Sequence, residues 1–421
     1  MTETSLARTN DNLRIDGDRL WRSLEEMAKI GPGLRGGNNR QTLTDADREG
    51  RLLFRSWCEA AGLTVTVDQM GTMFARRDGT DNSLPPVLVG SHLDTQPTGG
   101  RYDGVLGVLA GLELVRSLND LGIRTRHPIE VVNWTNEEGS RFSPGMMASG
   151  VFAGMLDRDY AYGRTDAKGL RFGDELERIG FKGDRPVGGR KIRAYYELHI
   201  EQGPILEEEG LDIGIVTHGQ GLRWLRVTLT GREAHAGSTP MNRRLNAALG
   251  AARIAELVET IAWRYPPLAV GNAGYMELYP NSPNIVAGKA VVVIDFRHPD
   301  WSVLIAMTEA LASEGRAIAK EMGLGIEIEE ISASDPVAFD KACVAALRKA
   351  ATELGYSHRD MVSGAGHDAI QVSHVAPAAM VFCPCVGGIS HNEDEAITPE
   401  WARAGTDVLL RAVAETAEIV S

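Results

Sequence analysis

Cysteine is scarce in this chain: Cys58, Cys343, Cys383 and Cys385 are the only four among 421 residues. So few thiols in so long a chain make no disulfide framework, and Cys383-Pro-Cys385 is too short for a C-x-x-C redox pair. Long apolar runs are missing as well. Every hydrophobic stretch is broken by Gly or charge before it reaches the roughly 20 residues that a bilayer span needs. Residues 1–15 (MTETSLARTNDNLRI) hold no apolar h-region, so no secretory signal is expected and a reducing cytoplasm is the expected setting. Basic excess is the third absence. Lys and Arg number 44 against 57 Asp and Glu, a formal net charge of −13, and no basic stripe of the kind nucleic acid requires is present. Nucleic acid and membrane are thereby excluded as partners. A net negative molecule that handles a small anion must supply its own local Arg.

What is present is ordinary for a globular protein: 43% hydrophobic and 24% charged residues. The length predicts two domains. Residues 16–30 place Leu20, Leu24 and Met27 at helical spacing behind an Asp start signal, and Thr44 opens a second helix that runs through Ala60. PVLVGSHLDT and HPIEVVNWTNEEGSRF are strand runs that break into polar loops, with the helical GVLGVLAGLELVRSLNDLG between them. Strand, helix, strand is the order of an α/β domain with a central sheet flanked by helices. The texture changes near residue 215. WLRVTLTG, NAALGAARIAELVETIAWRY, the two strands around SPNIVAG, SVLIAMTEALASEGRAIAKEMG and GIEIEEI follow a β-α-β-β-α-β order, which is ferredoxin-like. The expected organisation is therefore a discontinuous domain, 1–216 with 334–421, carrying an inserted α+β domain, 217–333.

Chemistry-bearing side chains collect at the strand ends, where α/β sheets place their ligand sites. His92 and Asp94 lie two apart and share one face of an extended backbone. Asp103 stands where the chain enters a helix, Glu137 and Glu138 close the next strand, His199 follows in ELHIEQGP, and His391 lies in GGISHNEDE. Taken singly, each has an ordinary reading: a hydrogen-bonded His, an N-cap Asp, a solvated Glu pair. Taken together they are three imidazoles and several carboxylates delivered by apolar strands, a set that calls for cations to neutralise it. His with carboxylate and no Cys suits zinc, manganese, cobalt or nickel. The ligands exceed the three that one catalytic zinc takes, which points to two ions with an Asp between them. One Glu of the 137–138 pair then ligates, and the other remains as a general base. A second cluster lies in the insert: His235 in GREAHAG, Asn284 in SPNIVAG and Arg297 in VVVIDFR. Two readings stand for Arg297, a fork for a substrate carboxylate or a pair with Asp295 or Asp300.

GSHLDTQPTGGRYDGVLGV, WTNEEGSRFSPGMMASGVFAG, ELHIEQGPILE, GREAHAGSTPM, SPNIVAG with IDFR, SGAGHDA and GGISHN, spread over residues 91 to 392, together resemble the M20-type metallo-amidohydrolases of the hydantoinase/carbamoylase branch. The resemblance implies that His92, Asp103, Glu138, His199 and His391 ligate two divalent ions, with Asp103 bridging. It implies Glu137 as general base and Asp94 as support for the His92 ring. Gln202 and His235 would contact the carbamoyl end of a ureido substrate. Asn284, Arg297 and the backbone near Gly366 would hold its carboxylate, with His367 supporting that pocket. It further implies a homodimer through the inserted domain, which closes over the site, with His235 and the Asn/Arg pair reaching the other subunit.

The expected reaction is metal-dependent hydrolysis of N-carbamoyl-L-amino acids to L-amino acid, ammonia and carbon dioxide. MMASGVFAG after the Glu pair, and Trp224 behind Arg223, favour a substrate with one ureido group. The alternatives are an allantoate or ureidoglycolate amidohydrolase, a β-ureidopropionase, an M20 deacylase or aminopeptidase, and a non-catalytic dimeric binding relative. GSTPMNRRLNA departs from the TTPM pattern of many relatives, which bears on the inserted domain more than on the chemistry. A nucleotide-binding role is rejected, since Gly104-Val-Leu-Gly107 is neither G-x-G-x-x-G nor a P-loop.

Overall fold

The computed structural model describes residues 13–420. By its contacts the chain falls into two units, residues 1–217 with 339–421, and residues 218–338. The last long strand of the second unit runs to Ser334, and Val337–Ala338 then pairs with His218–Gly219.

The first unit begins with helices Gly17–Ala28 and Asp45–Ala60, whose first turns are capped by the side chains of Asp16 and Thr44. Its strands are β1 (Thr64–Val67), β2 (Met73–Arg77), β3 (Val87–His92), β4 (Arg124–Thr125), β5 (Ile129–Trp134), β6 (Ala194–Ile200) and β7 (Ile213–Gly219). The second unit carries β8 (Gly221–Thr230), β9 (Ala234–His235), β10 (Val270–Tyr279), β11 (Ile285–Val286), β12 (Lys289–His298), β13 (Gly325–Ser334) and β14 (Val337–Ala338). The chain then returns to the first unit with β15 (His358–Ser363), β16 (Ala378–Cys383) and β17 (Ile419–Val420).

The main sheet runs β1-β2-β5-β3-β6-β16-β7, with β15 also paired to β7. Its centre is parallel, β5 with β3, β3 with β6, and β6 with β16, while its flanks are antiparallel. Every residue of β3, β5, β6 and β16 is buried. This is why those strands read as continuous apolar runs, the mark of parallel strands covered on both faces. Helix Val105–Asp120 packs on β3, β5 and β6, and helix Pro399–Thr416 on β6 and β16. Parallel neighbours end on the same side, so the loops after β3, β5, β6 and β16 emerge together.

In the second unit the order β10-β12-β8-β13, antiparallel throughout, is the ferredoxin-like arrangement. Helices Ala247–Ala262 and Trp301–Met322 cover one face. Leu225, Val227 and Leu229 of β8 alternate inward with Ala290, Val292, Ile294 and Phe296 of β12 to meet Ile254, Leu304 and Leu311. A two-stranded ladder, β9 with β11, stands beside this sheet. Among the described residues no helix is long and apolar enough to cross a membrane.

Candidate metal centre

His92 is the last residue of β3, and His199 sits one residue before the end of β6. Glu137 and Glu138 follow β5, and His391 lies in the loop after β16. Asp103 precedes helix Val105–Asp120. The structure brings these six side chains together. The Asp103 carboxylate divides them into two groups. Its Oδ1 lies 3.1 Å from His199 Nε2 and 3.6 Å from His92 Nε2, while its Oδ2 lies 3.3 Å from His391 Nε2. His391 Nε2 is in turn 3.5 Å from Glu138 Oε2. His92, Asp103 and His199 thus form one set with metal-ligand spacing, and Asp103, Glu138 and His391 form another. Glu137 Oε2 lies 3.4 Å from His92 Nε2, beside both.

The chemistry of the donors fits divalent cations. The Nε2 atoms of His92 and His199 are buried and have no hydrogen-bond partner, although each points toward carboxylate oxygen. Their Nδ1 atoms are fixed from behind, by the carbonyl of Asp94 at 2.8 Å and that of Ile200 at 3.0 Å. Each ring therefore presents Nε2 to the centre in the tautomer a metal takes. The Asp94 carboxylate is 3.9 Å from His92 Nδ1 and instead accepts the backbone N–H of Glu137 and Glu138, both at 3.4 Å. Asp94 thus holds His92 through its main chain and orients the Glu pair through its side chain.

Burial and neighbouring charge set the proton affinities of this pocket in opposite directions. Burial pushes the Glu137 carboxyl well above the usual range, reinforced by Asp368, Glu138 and Asp103 and opposed by His92. Burial and Asp103 push Glu138 up to about 7. Burial alone would raise Asp103, but the imidazoles of His199, His391 and His92 outweigh it and hold that carboxyl well below its usual range. Hydrogen bonding to Asp103 lifts His391 to about 9. Two site residues, Gln202 at φ 57° and His391 at φ 53°, adopt left-handed backbone, strain of the kind that collects at functional sites.

The other expected residues are placed as follows. Gln202 Nε2 donates to Asp103 Oδ2 at 2.8 Å and to Ser390 Oγ at 3.1 Å. His367 is buried with its ring centroid 4.4 Å from that of His199, and its Nε2 has no hydrogen-bond partner. Gly366 packs against Met146, where a Cβ would meet Cε at 2.8 Å. His235 and Asn284 are neighbours in the second unit through the β9–β11 ladder. Arg297 forks onto Asp295, Nη2 to Oδ2 at 2.8 Å and Nε to Oδ2 at 3.0 Å. The Asp295 pairing is therefore present.

The structure also adds residues that sequence patterns did not single out. Gln96 Nε2 donates to Glu138 Oε2 at 2.6 Å. Glu395 Oε1 accepts the backbone N–H of Tyr102 and Asp103 at 3.0 and 3.1 Å, and Ser390 Oγ bridges Glu395 to Asp103 Oδ2. Arg40 is fully buried and ties Leu93 O, Met27 O and Ile30 O together, while its backbone pairs with Thr95. Glu395 shares a run with His391 and could have been found there. Arg40 carries no local signal.

An α/β sheet whose strand ends gather two sets of His and carboxylate ligands around one shared Asp has the make-up of a metallohydrolase. The chain belongs to the peptidase family M20/M25/M40, whose family model matches residues 88–415, and within it to the hydantoinase/carbamoylase branch. It is 60% identical over 415 residues to an N-carbamoyl-L-amino-acid amidohydrolase of Rhizobium meliloti, covering 99% of this chain and 100% of the relative. A ureidoglycolate hydrolase of Arabidopsis thaliana is 33% identical, over 94% of this chain and 86% of that one. Among solved structures, a hydantoinase/carbamoylase family amidase from Burkholderia multivorans matches with a TM-score of 0.93 at 55% identity, covering 96% of this chain and 98% of that one.

Proposed function

We propose that the protein hydrolyses the ureido group of N-carbamoyl-L-amino acids to L-amino acid, ammonia and carbon dioxide. The observation that carries this is the Asp103 carboxylate shared between two ligand sets with Glu137 beside both. The substrate class comes from the Rhizobium meliloti relative. Two divalent cations held by His92, Asp103, Glu138, His199 and His391 would supply Lewis acidity, acidifying a water and polarising the ureido oxygen. The chain's own residues do the rest. Glu137 takes the proton of the attacking water at its carboxylate and delivers it to the leaving nitrogen. Asp94 keeps Glu137 and Glu138 oriented through their backbone N–H groups. Gln202 contacts the ureido end and the backbone at Gly366 receives the carboxylate, with His367 in support. His235 joins at the ureido end, and Asn284 and Arg297 at the carboxylate, from the inserted domain of a second copy of the chain. For Arg297 this requires its fork to exchange Asp295 for the substrate.

The organisation into a catalytic domain, 1–216 with 334–421, and an inserted domain, 217–333, belongs to the same proposal. So does a homodimer through the insert, which light scattering tests directly. The four cysteines are buried and unpaired, which supports a reducing cytoplasm. Ureidoglycolate hydrolysis is the second reading, supported by the Arabidopsis relative.

The deciding experiment measures ammonia release by chelator-stripped protein reloaded with Zn or Mn. Substrates are N-carbamoyl-L-methionine, its D-enantiomer, allantoate, ureidoglycolate and β-ureidopropionate. Turnover of the L-carbamoyl compound alone, and only with metal, is the expected result. A preference for allantoate or ureidoglycolate overturns the substrate assignment and leaves the centre standing.

A further inference from the structure

The second unit contains a turn whose hydrogen bonds converge on one imidazole. His235 ends β9, and its Nδ1 accepts the backbone N–H of Gly237 and of Ser238, each at 3.0 Å. A ring nitrogen that accepts two N–H groups carries no proton, so the proton of the neutral ring sits on Nε2. The turn closes tightly on the ring: a Cβ at Gly237 would lie 3.3 Å from His235 Cε1. It is held on one side by the second strand of the ladder, where Ala236 N–H donates to Asn284 O at 2.8 Å. On the other side stands Arg244. Its Nη2 donates to Ala236 O at 2.6 Å and Thr239 O at 2.9 Å, and its Nε to Thr239 O at 3.1 Å. Among the described residues Arg244 makes no ion pair with a carboxylate. Its planar fork is directed at two carbonyls of this turn, a geometry that a flexible ammonium matches poorly. Asn284 is prepared in the same sense, since Ser282 Oγ donates to its Oδ1 at 2.8 Å and leaves Nδ2 as the donating end.

We infer that Arg244 is a positioning residue that keeps the 235–239 turn closed, so that His235 stands as a fixed Nε2–H donor and not as a proton acceptor. This makes the His235 corner a hydrogen-bond donor suited to an acceptor such as a ureido oxygen as charge develops on it, and leaves Asn284 Nδ2 free to serve the neighbouring carboxylate. That assignment of the acceptor rests on the ureido-hydrolase proposal. The locking of the tautomer does not.

The test combines two measurements on the metal-loaded full chain. Nitrogen-15 NMR of histidine-labelled protein reads the His235 tautomer, assigned by its loss in His235→Ala. In wild type it should be Nε2–H. In Arg244→Gln it should shift to a mixture of tautomers, and Arg244→Lys should recover part of the wild-type pattern. Turnover of N-carbamoyl-L-methionine should fall roughly 10- to 100-fold in kcat with little change in KM, as expected when a donor is misplaced by about an ångström. Placed in the His235→Ala background, Arg244→Gln should cost nothing further, because its effect passes through that ring. An unchanged tautomer in Arg244→Gln overturns the proposal. So does an equal loss of kcat in both backgrounds, which would make Arg244 a general structural residue. If wild type turns over no ureido substrate, the ureido-hydrolase proposal fails and the NMR comparison alone decides the lock. Should Arg244→Gln not fold, Arg244→Lys and Ser238→Pro, which removes one of the two N–H donors, carry the same comparison.

Discussion

Replacing Gly104 by Ala should damage both stability and metal binding, for separable reasons. Gly104 lies at φ 68°, directly before helix Val105–Asp120, and a Cβ built on it would stand 2.3 Å from Cε1 and Nε2 of His92. A left-handed backbone costs an L-residue about 1–2 kcal/mol. Relieving the collision by moving the ring or the helix start costs a further 1–3 kcal/mol or so. The stiffer unfolded chain returns about 0.4–1 kcal/mol. The net is a destabilisation of about 1–4.5 kcal/mol, centred near 3. Gly62 provides the control, because it lies at φ 80° with nothing within 4 Å of the added Cβ. Gly62→Ala should show the backbone term alone, about 1 kcal/mol. The collision also displaces a ligand, so Gly104→Ala should weaken cation binding by the His92–Asp103–His199 set, and Gly62→Ala should not. Denaturant unfolding gives the first comparison, and a Zn or Mn titration with metal counting gives the second. Equal destabilisation of the two variants, with cation affinity unchanged in both, would refute the account of how His92 is seated.

Glu137→Gln should retain its cations and lose roughly 10²- to 10⁴-fold in kcat, the usual contribution of a general base; metal counts beside initial rates check this, and a wild-type rate would remove Glu137 from that role. Glu395→Ala should strand the N–H groups of Tyr102 and Asp103, costing about 1–3 kcal/mol each, whereas Glu395→Gln keeps an acceptor and should lose much less; chemical denaturation separates the two. Asp68 provides a pH test away from the metal centre. Burial pushes its carboxyl up to about 7, above the roughly 4 expected when unfolded. The folded chain therefore holds a proton that the unfolded chain has released between those values. The stability this group contributes is complete below about pH 4 and is lost, by at most about 1.4 kcal/mol per pH unit, as pH rises through 7. The stability difference between wild type and Asp68→Asn should shrink over that window, and a difference independent of pH would count against the burial argument.

Much of the candidate site was legible in the residues themselves. His92, Glu137, Glu138 and His199 stand where apolar strands stop, and a strand has only one way to end in a polar loop. The β-α-β-β-α-β order of the insert was equally readable, because each element carries its own period of two or 3.6. Local sequence settles such features because they depend on neighbours along the chain. Other features rest on neighbours that folding brings in from afar. That Asp103 faces His92 and His199 with one oxygen and His391 with the other follows from parallel strands ending side by side, which no spacing expresses. That Asp94 holds His92 through a carbonyl and the Glu pair through its carboxylate is a matter of backbone geometry. Arg40, Gln96 and Arg244 look like any surface residues in one dimension. Their work is to satisfy carbonyls and carboxylates, in the buried site for Arg40 and Gln96 and in the 235–239 turn for Arg244, and those acceptors come within reach only once the chain is folded.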